Sequence, residues 1–542
     1  MGRIKSTVDR ANLKLPLKLA AVLLASSTLV SGILGLLRDR QLNGLYYSTY
    51  PQGIDAYTVA FSVPDFMFFI LVSGALSVTF IPVFNQRLAD YNKKSAWELS
   101  TSVLNLMAIV TLVASILIII FAEPLVQYIV GPGLNESGRA LAVSMMRVIA
   151  VNPFLFAVAT VISSMQQAVG RFTFFAMAPA VYNIGIIIGA VFFTNGINLF
   201  GWQIFEGGIM GVALGVVLGS VMQLMISCIG LFGMGFDYRF KIYWKNKGFR
   251  RVMSLLPARS LDQGIDYING IVETNLASRM VAGTIRAYQQ ASTLSFVPIN
   301  LIGVAISTAA FPKMAERLGQ GRPDLFRSEL QSVLRVIIWL ALPVTIITFF
   351  TRGYLVNFIK NGGDTLMASI LGILAVSILF RSIYHISARS FYAQQNTKTP
   401  LYISFVAIGL NIILAIWFTM GLDMGVYGLA WASAIVAALE VAILFVMMSK
   451  SINGLFDATF VHATVRMLIA TAIMGIVSYI CVLVLPLNAT DQSFLSSFPK
   501  FGIIAAISGF VYISICKLFK LSEVDPIISR VTRILFGRFK KI

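Results

Sequence analysis

Charged side chains are scarce inside the apolar stretches of this chain, and arginine is the commonest of them. Arg147, Arg381 and Arg389 each fall within a long hydrophobic segment, and the pair Arg38-Asp39 closes another. An arginine at membrane depth costs about 2.5–3.5 kcal/mol on insertion scales, so it faces a cavity or a partner, or snorkels to the interface. Its planar guanidinium donates two parallel hydrogen bonds to a phosphate or carboxylate, so the chemistry on offer is anion binding. Arg381 and Arg389 are eight residues apart, near one face of one helix, although Arg389 reads equally as an anchor at the helix end. Arg38-Asp39, read alone, is either an interfacial anchor pair or a functional pair. Glu273 and Glu440 are the clearest acids within apolar sequence, either neutral or ion-paired structural groups or cation ligands. Cys228, Cys481 and Cys516 lie in apolar segments without paired spacing, and His385 and His462 are far apart, so neither a disulfide framework nor a metal site is expected. With no nucleophile, metal cluster or phosphate-binding glycine loop in view, the chain is expected to bind and move its ligand and not to be an enzyme.

The elements that position these groups must be membrane helices. The chain has 542 residues, 57% of them hydrophobic and 12% charged, with a mean hydropathy of +0.83. A soluble domain carries about 25% charged residues, so a soluble enzyme is excluded. The net charge of +19 follows from the excess of Lys and Arg on the cytoplasmic side and needs no nucleic acid. The N-terminus is basic and then apolar from Leu17 to Leu37. That run exceeds the roughly 7–15 residues of a signal-peptide core, so it reads as an uncleaved first span.

At roughly 20 apolar residues per crossing, fourteen spans are expected: 17–37, 55–84, 96–121, 139–168, 174–195, 207–232, 251–277, 283–312, 328–350, 366–392, 400–420, 425–449, 463–486 and 499–519. Lys and Arg crowd the N-terminal tail, the second loop (Arg87, Lys93, Lys94), the sixth (Arg239 to Arg251), the eighth (Lys313 to Arg327) and the C-terminal tail. Both termini are therefore expected in the cytoplasm, which requires an even number of spans.

The second segment, Asp55 to Phe84, contains Pro64, Gly74 and Pro82, with Asp65 beside the first proline, and reads as a broken helix. Broken helices at membrane depth are tolerated where they are buried in protein or line a watery cavity. Its text returns: GALSVTFIP (74–82) is echoed by GVAISTAAFP (303–312), each behind a Val-Pro. Gln166-Gln167, Pro179, Asn183-Ile184 and Gly211-Val212 are matched by Gln394-Gln395, Pro400, Asn411-Ile412 and Gly425-Val426. Six spans separate the copies, so the repeat is parallel, about an axis along the membrane normal. The expected fold is all-α and polytopic: an N-lobe (1–237), a C-lobe (238–450), helices thirteen and fourteen (451–521) and a basic amphipathic cytoplasmic tail (522–542) suited to anionic membrane lipids. Gly207, Gly211, Gly215 and Gly219 fall at every fourth position of the sixth segment and read as a helix-packing ridge.

ILGLLRD (33–39), DAYTVAF (55–61), GALSVTFIPVF (74–84) and RSFYAQQNTKTP (389–400) together resemble the MurJ/MviN family of lipid II flippases in the MOP exporter superfamily, over residues 17–450. The resemblance implies fourteen helices in two lobes around a central cavity. It also implies a hydrophobic groove for the lipid tail at helices thirteen and fourteen, a bacterial inner membrane, and lipid II or a related polyprenyl-pyrophosphate glycolipid as cargo. It carries Arg38, Asp39 and Asp55 onto positions the family uses at the cavity and its outer gate. The chain departs from the family where Gly32, Phe68 and Thr293 replace cavity arginines and Ser73 replaces a glutamate. Arg147, Arg279, Arg286, Arg381 and Arg389 are the candidates to substitute. Some relatives hold sodium with an acid in helix seven and an Asn and Asp in helix eleven. Glu273 and Asn411 match two of those positions, and Ala415 stands at the third. No organic cofactor is expected, and Na+ or the membrane potential is the candidate driving force. A drug or cation antiporter of the same superfamily is the alternative transport reading. A membrane scaffold or a glycosyltransferase is weakened by the short loops.

Overall fold

The computed structural model describes residues 16–72, 75–199, 202–488, 490–526 and 529. The chain divides into two compact units, residues 1–286 and 287–542. The first holds α1 (Leu17–Leu42), α2 (Pro51–Leu71), α3 (Ala75–Ala89), α4 (Lys93–Pro124), α5 (Glu136–Ile149), α6 (Asn152–Ala168), α7 (Thr173–Phe192), α8 (Met210–Ile229) and α9 (Lys247–Ser278). A short antiparallel hairpin, β1 (Ile197–Leu199) and β2 (Trp202–Phe205), joins α7 to α8 and was not expected from the sequence. α10 (Thr284–Pro298) starts at the boundary. The second unit continues with α11 (Ala305–Gly319), α12 (Pro323–Phe350), α13 (Arg352–Ile359), α14 (Thr365–Ala393), α15 (Lys398–Ile416), α16 (Val426–Ser451), α17 (Ala458–Val484) and α18 (Phe494–Leu518).

Among the described residues, thirteen helices are long and apolar enough to cross a membrane. α9, 32 residues long, is the fourteenth by length, and Arg250, Arg251, Arg259, Asp262 and Asp266 lower its hydropathy. The fourteen expected segments each have a helical counterpart, and the chain is a multi-pass membrane protein. α9 packs on α2, α3 and α4, so the first compact unit extends beyond residue 237, where the sequence repeat places its lobe boundary.

Most helices begin a few residues earlier than hydropathy indicates, and at α4 and α17 a polar cap precedes the apolar run. Asn92 accepts from the Ser95 amide at 3.0 Å ahead of α4, and Asp457 accepts from Phe460 at 2.8 Å ahead of α17. Each cap satisfies an amide that the first turn leaves orphaned.

The proline breaks are corrected by the structure. Pro64 and Pro82 lie inside α2 and α3. The interruption comes between these helices, at Val72, whose φ of −132° leaves the helical region; Gly74 lies outside the described residues. The second copy is not broken. α10 runs through a π-helical segment, Ile299–Val304, directly into α11. The tail from residue 530 also lies outside the described residues.

The glycine ridge is a packing device. A methyl group on Gly189 of α7 would lie 2.4 Å from Gly215 Cα of α8, and one on Gly185 would lie 2.3 Å from Gly219 Cα. The two backbones approach so closely because neither carries a side chain there. The first unit's core gathers Phe80, Phe84, Leu99, Val103, Met165 and Phe249. The second gathers Leu330, Ile337, Leu444, Met448, Met467 and Tyr512.

Candidate functional site

Asp39 joins its sequence neighbour Arg38 to Arg286, far away along the chain. Arg38, its neighbour on α1, places Nη2 3.0 Å and Nε 3.2 Å from Asp39 Oδ1. Arg286, in the first turn of α10, places Nη2 3.2 Å from the same oxygen. Arg286 Nε donates to Asn43 Oδ1 at 2.9 Å. Asn43 stands four residues after Asp39, so both point to one side of the helix. The arginine is thereby bound to α1 at two successive turns.

Asp55, in the first turns of α2, completes the cluster. Its Oδ2 accepts from the Gly283 amide at 2.6 Å and its Oδ1 from the Arg286 amide at 2.9 Å. The carboxylate therefore caps the start of α10, where orphan amides and the helix dipole favour a negative charge. Gly283 reaches that geometry with φ +94°, a left-handed conformation that a side chain would strain.

Asp39, Asp55 and Arg286 are 6%, 2% and 3% exposed. Two carboxylates and two guanidiniums make the group electrically neutral, which is what allows four charges to sit inside the first unit. Arg38 differs from Arg286 in access, since its side chain keeps 25% of its surface open. Arg38 Nη1 donates to Asn183 Oδ1 at 3.0 Å, and Asn183 is itself held by the Pro179 carbonyl at 3.2 Å. Among the described residues, three of the five guanidinium donors are engaged, which leaves two for a further acceptor.

Arg38, Asp39 and Asp55 are thus brought together, and Arg286 emerges from the wider set of arginines as their partner. Asn43 was not singled out from the sequence; its i, i+4 spacing from Asp39 is the one signal that could have found it. Asn183 figured as a repeat marker only.

The other expected site residues lie elsewhere. Arg147 is exposed in the last turn of α5, where a helix C-terminus favours a cation, and its Nε donates to the Ile119 carbonyl at 3.3 Å. Arg279 is exposed, with Nε 3.4 Å from Asn275 Oδ1. In the second unit, Arg381 donates to Ser433 Oγ at 3.1 Å and sits 5.8 Å from the Phe296 ring. Arg389 is half-buried near the end of α14, with His385 midway between it and Arg381. Glu440 accepts from Ser404 Oγ at 3.0 Å, and Ser404 is bonded to the Tyr384 hydroxyl at 2.9 Å. Glu273 accepts from Asn269 at 2.9 Å in the first unit, while Asn411 is buried in the second. Among the described residues no group of three His, Cys, Asp or Glu could hold a metal ion.

The positions where family arginines are absent have distinct surroundings. A methyl group added at Gly32 would meet no atom within 4 Å. Phe68 packs edge-on to Phe156 at 5.4 Å, and Phe156 to Tyr182 at 5.3 Å. Thr293 turns its hydroxyl back to the Gln289 carbonyl.

Comparison with known proteins places this architecture. A probable lipid II flippase MurJ of Bdellovibrio bacteriovorus is 25% identical over 467 residues, covering 84% of this chain and 87% of the relative. That of Thermotoga maritima is 24% identical over 513 residues, covering 93% and 97%. A solved lipid II flippase MurJ in an inward closed conformation superposes with a TM-score of 0.73 at 23% identity, covering 91% of this chain and 99% of that one. An inward-facing multidrug resistance MATE transporter of the MOP superfamily superposes at 0.66 with 15% identity, covering 81% and 99%. These two superpositions speak for the fold alone. The family described as lipid II flippase MurJ matches residues 52–497, most of the chain, and the chain belongs to that family.

Proposed function

We propose that this chain carries lipid II from the inner to the outer leaflet of a bacterial cytoplasmic membrane by alternating access, with both termini in the cytoplasm. The family match across residues 52–497 carries the reading. Lipid II joins an anionic pyrophosphate and sugars to a long apolar tail. Moving the head across hydrocarbon requires an enclosed polar route with cations along it, and no bond has to be made or broken. Arg38 is the head-group contact proposed first, because its guanidinium is fixed on one side by Asp39 and Asn183 and open on the other. Asp39, Asp55 and Arg286 position it. Arg381 and Arg389 are proposed as a second basic stripe along α14, and Arg147 as a contact at the rim. Na+, or the membrane potential acting on these charges, is proposed to drive the cycle; transport that is unchanged when choline replaces Na+ would select the potential.

One observation favours the antiporter reading. Phe68, Phe156 and Tyr182 form an aromatic row where the family places a cation, and aromatic faces suit apolar cationic drugs.

Cells depleted of their own lipid II flippase separate the two. Rescue by this chain, with loss of rescue by Arg38→Ala at equal expression, is expected. A well-expressed parent that neither rescues nor binds purified lipid II would overturn the proposal.

A further inference from the structure

The second and sixth loops, both basic in sequence, meet at one end of the first unit. Residues 239–246 are laid along α4 and fixed at successive turns. Asn105 donates to the carbonyls of Arg239 and Lys241 at 2.9 and 3.0 Å, and Ser102 accepts from the Tyr243 amide at 2.8 Å. Asn246 then donates to Ser95 O and Oγ, both at 3.1 Å, and to Glu98 Oε2 at 3.4 Å. Its own Oδ1 caps α9 through the amides of Gly248 and Phe249. The basic segment is therefore a built wall and not a loose loop.

That wall borders an open pocket of about 810 Å3. Arg87, Lys94, Lys241, Lys245 and Lys247 line it, and Glu98 is the one acid among the lining residues. Arg87 Nε is shielded from solvent and has no acceptor among the described residues. α4, whose first turn contributes Lys94, is long and apolar enough to cross a membrane, and the pocket sits at the polar N-terminal end of that helix. Trp244, which also lines it, and Phe240, next to Lys241 in the chain, are 60% and 81% exposed. Aromatic rings at that level sit among lipid headgroups.

We propose that this pocket binds the anionic headgroup of a phospholipid from the adjoining leaflet. Arg87 supplies the phosphate with directed donors, the four lysines supply charge, and Trp244 and Phe240 lie in the boundary between headgroups and acyl chains. A soluble phosphate would use the same cations but would have no use for the two exposed rings. The inference is independent of which cargo the chain transports.

The test is lipid retention by the full chain in nanodiscs of phosphatidylcholine containing phosphatidylglycerol, read by native mass spectrometry. The parent is expected to retain phosphatidylglycerol selectively. The triple variant Lys241→Gln, Lys245→Gln, Lys247→Gln should bind it roughly a hundredfold more weakly, at the usual contribution per surface cation. Arg87→Gln alone should weaken it in the same direction. A control triple with the same charge change, Lys398→Gln, Lys450→Gln, Lys520→Gln, all exposed, should retain lipid like the parent. Equal loss in the control would reduce the effect to general charge attraction and overturn the site. Displacement of the lipid by free inorganic phosphate at matched concentration would assign the pocket to a soluble anion and overturn it equally.

Discussion

Arg286 and Asp39 form a buried ion pair, 3.2 Å between Nη2 and Oδ1, with side chains 4% and 8% exposed. Removing Asp39 takes from Arg286 and Arg38 the acceptor they share, and removing Arg286 leaves Asp39 held by Arg38 alone; either change unbalances the charges of a largely buried group. Asp39→Asn is expected to cost about 3–5 kcal/mol, and Arg286→Ala a similar amount, because breaking a buried pair costs more than the pair contributes. Thermal unfolding in detergent measures both. A double variant much less destabilised than the sum of the singles is the expected sign of coupling, and additive losses would show that the two act separately.

Asp55 holds the start of α10 through backbone amides, so its effect depends on acceptor oxygens more than on charge. Asp55→Ala should destabilise by about 2–4 kcal/mol, leaving two amides without their acceptor, and Asp55→Asn by about half as much. Hydrogen exchange at Gly283 and Arg286 reads this directly. Unchanged protection in Asp55→Ala would remove the cap from the account.

The α7–α8 contact predicts opposite outcomes for two glycine substitutions. Gly189→Leu must push the α8 backbone away and should abolish stable expression or lower the melting temperature sharply. Gly409→Ala lies in α15, where an added methyl meets nothing within 4 Å, and should be neutral or stabilising by up to about 1 kcal/mol through helix propensity. A shared loss at both sites would mean that general helix disturbance, and not the close approach, sets the cost.

Open space at Gly32 makes Gly32→Arg a substitution the fold should tolerate. It supplies a cation where the family resemblance implies one, and one added charged hydrogen bond is worth about 1.5 kcal/mol. Purified lipid II is expected to bind about tenfold more tightly. Unchanged affinity in a folded variant would take position 32 off the head-group route of this chain.

Asp491 lies outside the spans; Lys500, near the start of α18, donates to it at 2.6 Å and holds its carboxyl below the usual carboxylate value of 3.8. Because the folded pKa is depressed, the contribution is fully present above that value and is lost as pH falls through the lower folded one. Protection of the Asn488 amide, which donates to Asp491 at 2.8 Å, should fade over that acid range. In Lys500→Gln the loss should begin at higher pH. A profile identical in parent and variant would show that Lys500 does not set it.

The helices were legible in the sequence because bilayer crossing forces long apolar runs, and the repeat because its marker residues survive in order. Caps such as Asn92 and Asp457 escaped because they lie outside the apolar runs they start. Pro64 looked like a break and is not one. A proline removes one amide and crowds one carbonyl, and neighbouring structure can absorb both inside a membrane protein. Arg38 and Asp39 stood out by type and place. Their partner Arg286 did not, because nothing local links residues whose positions differ by 247.

The π segment Ile299–Val304 holds one residue more than an α-helical turn of the same reach. Deleting a single residue there would let it relax to α geometry with its backbone ladder intact and the phase of the helix beyond nearly unchanged, whereas a deletion from an ordinary α-helical turn would rotate everything downstream by about 100° about the helix axis. Met314, buried in α11, would keep its place in the second unit's core in the first case and swing out of it in the second. This short stretch is therefore where the chain can lose a residue without losing either a hydrogen-bonded turn or the face that α11 presents.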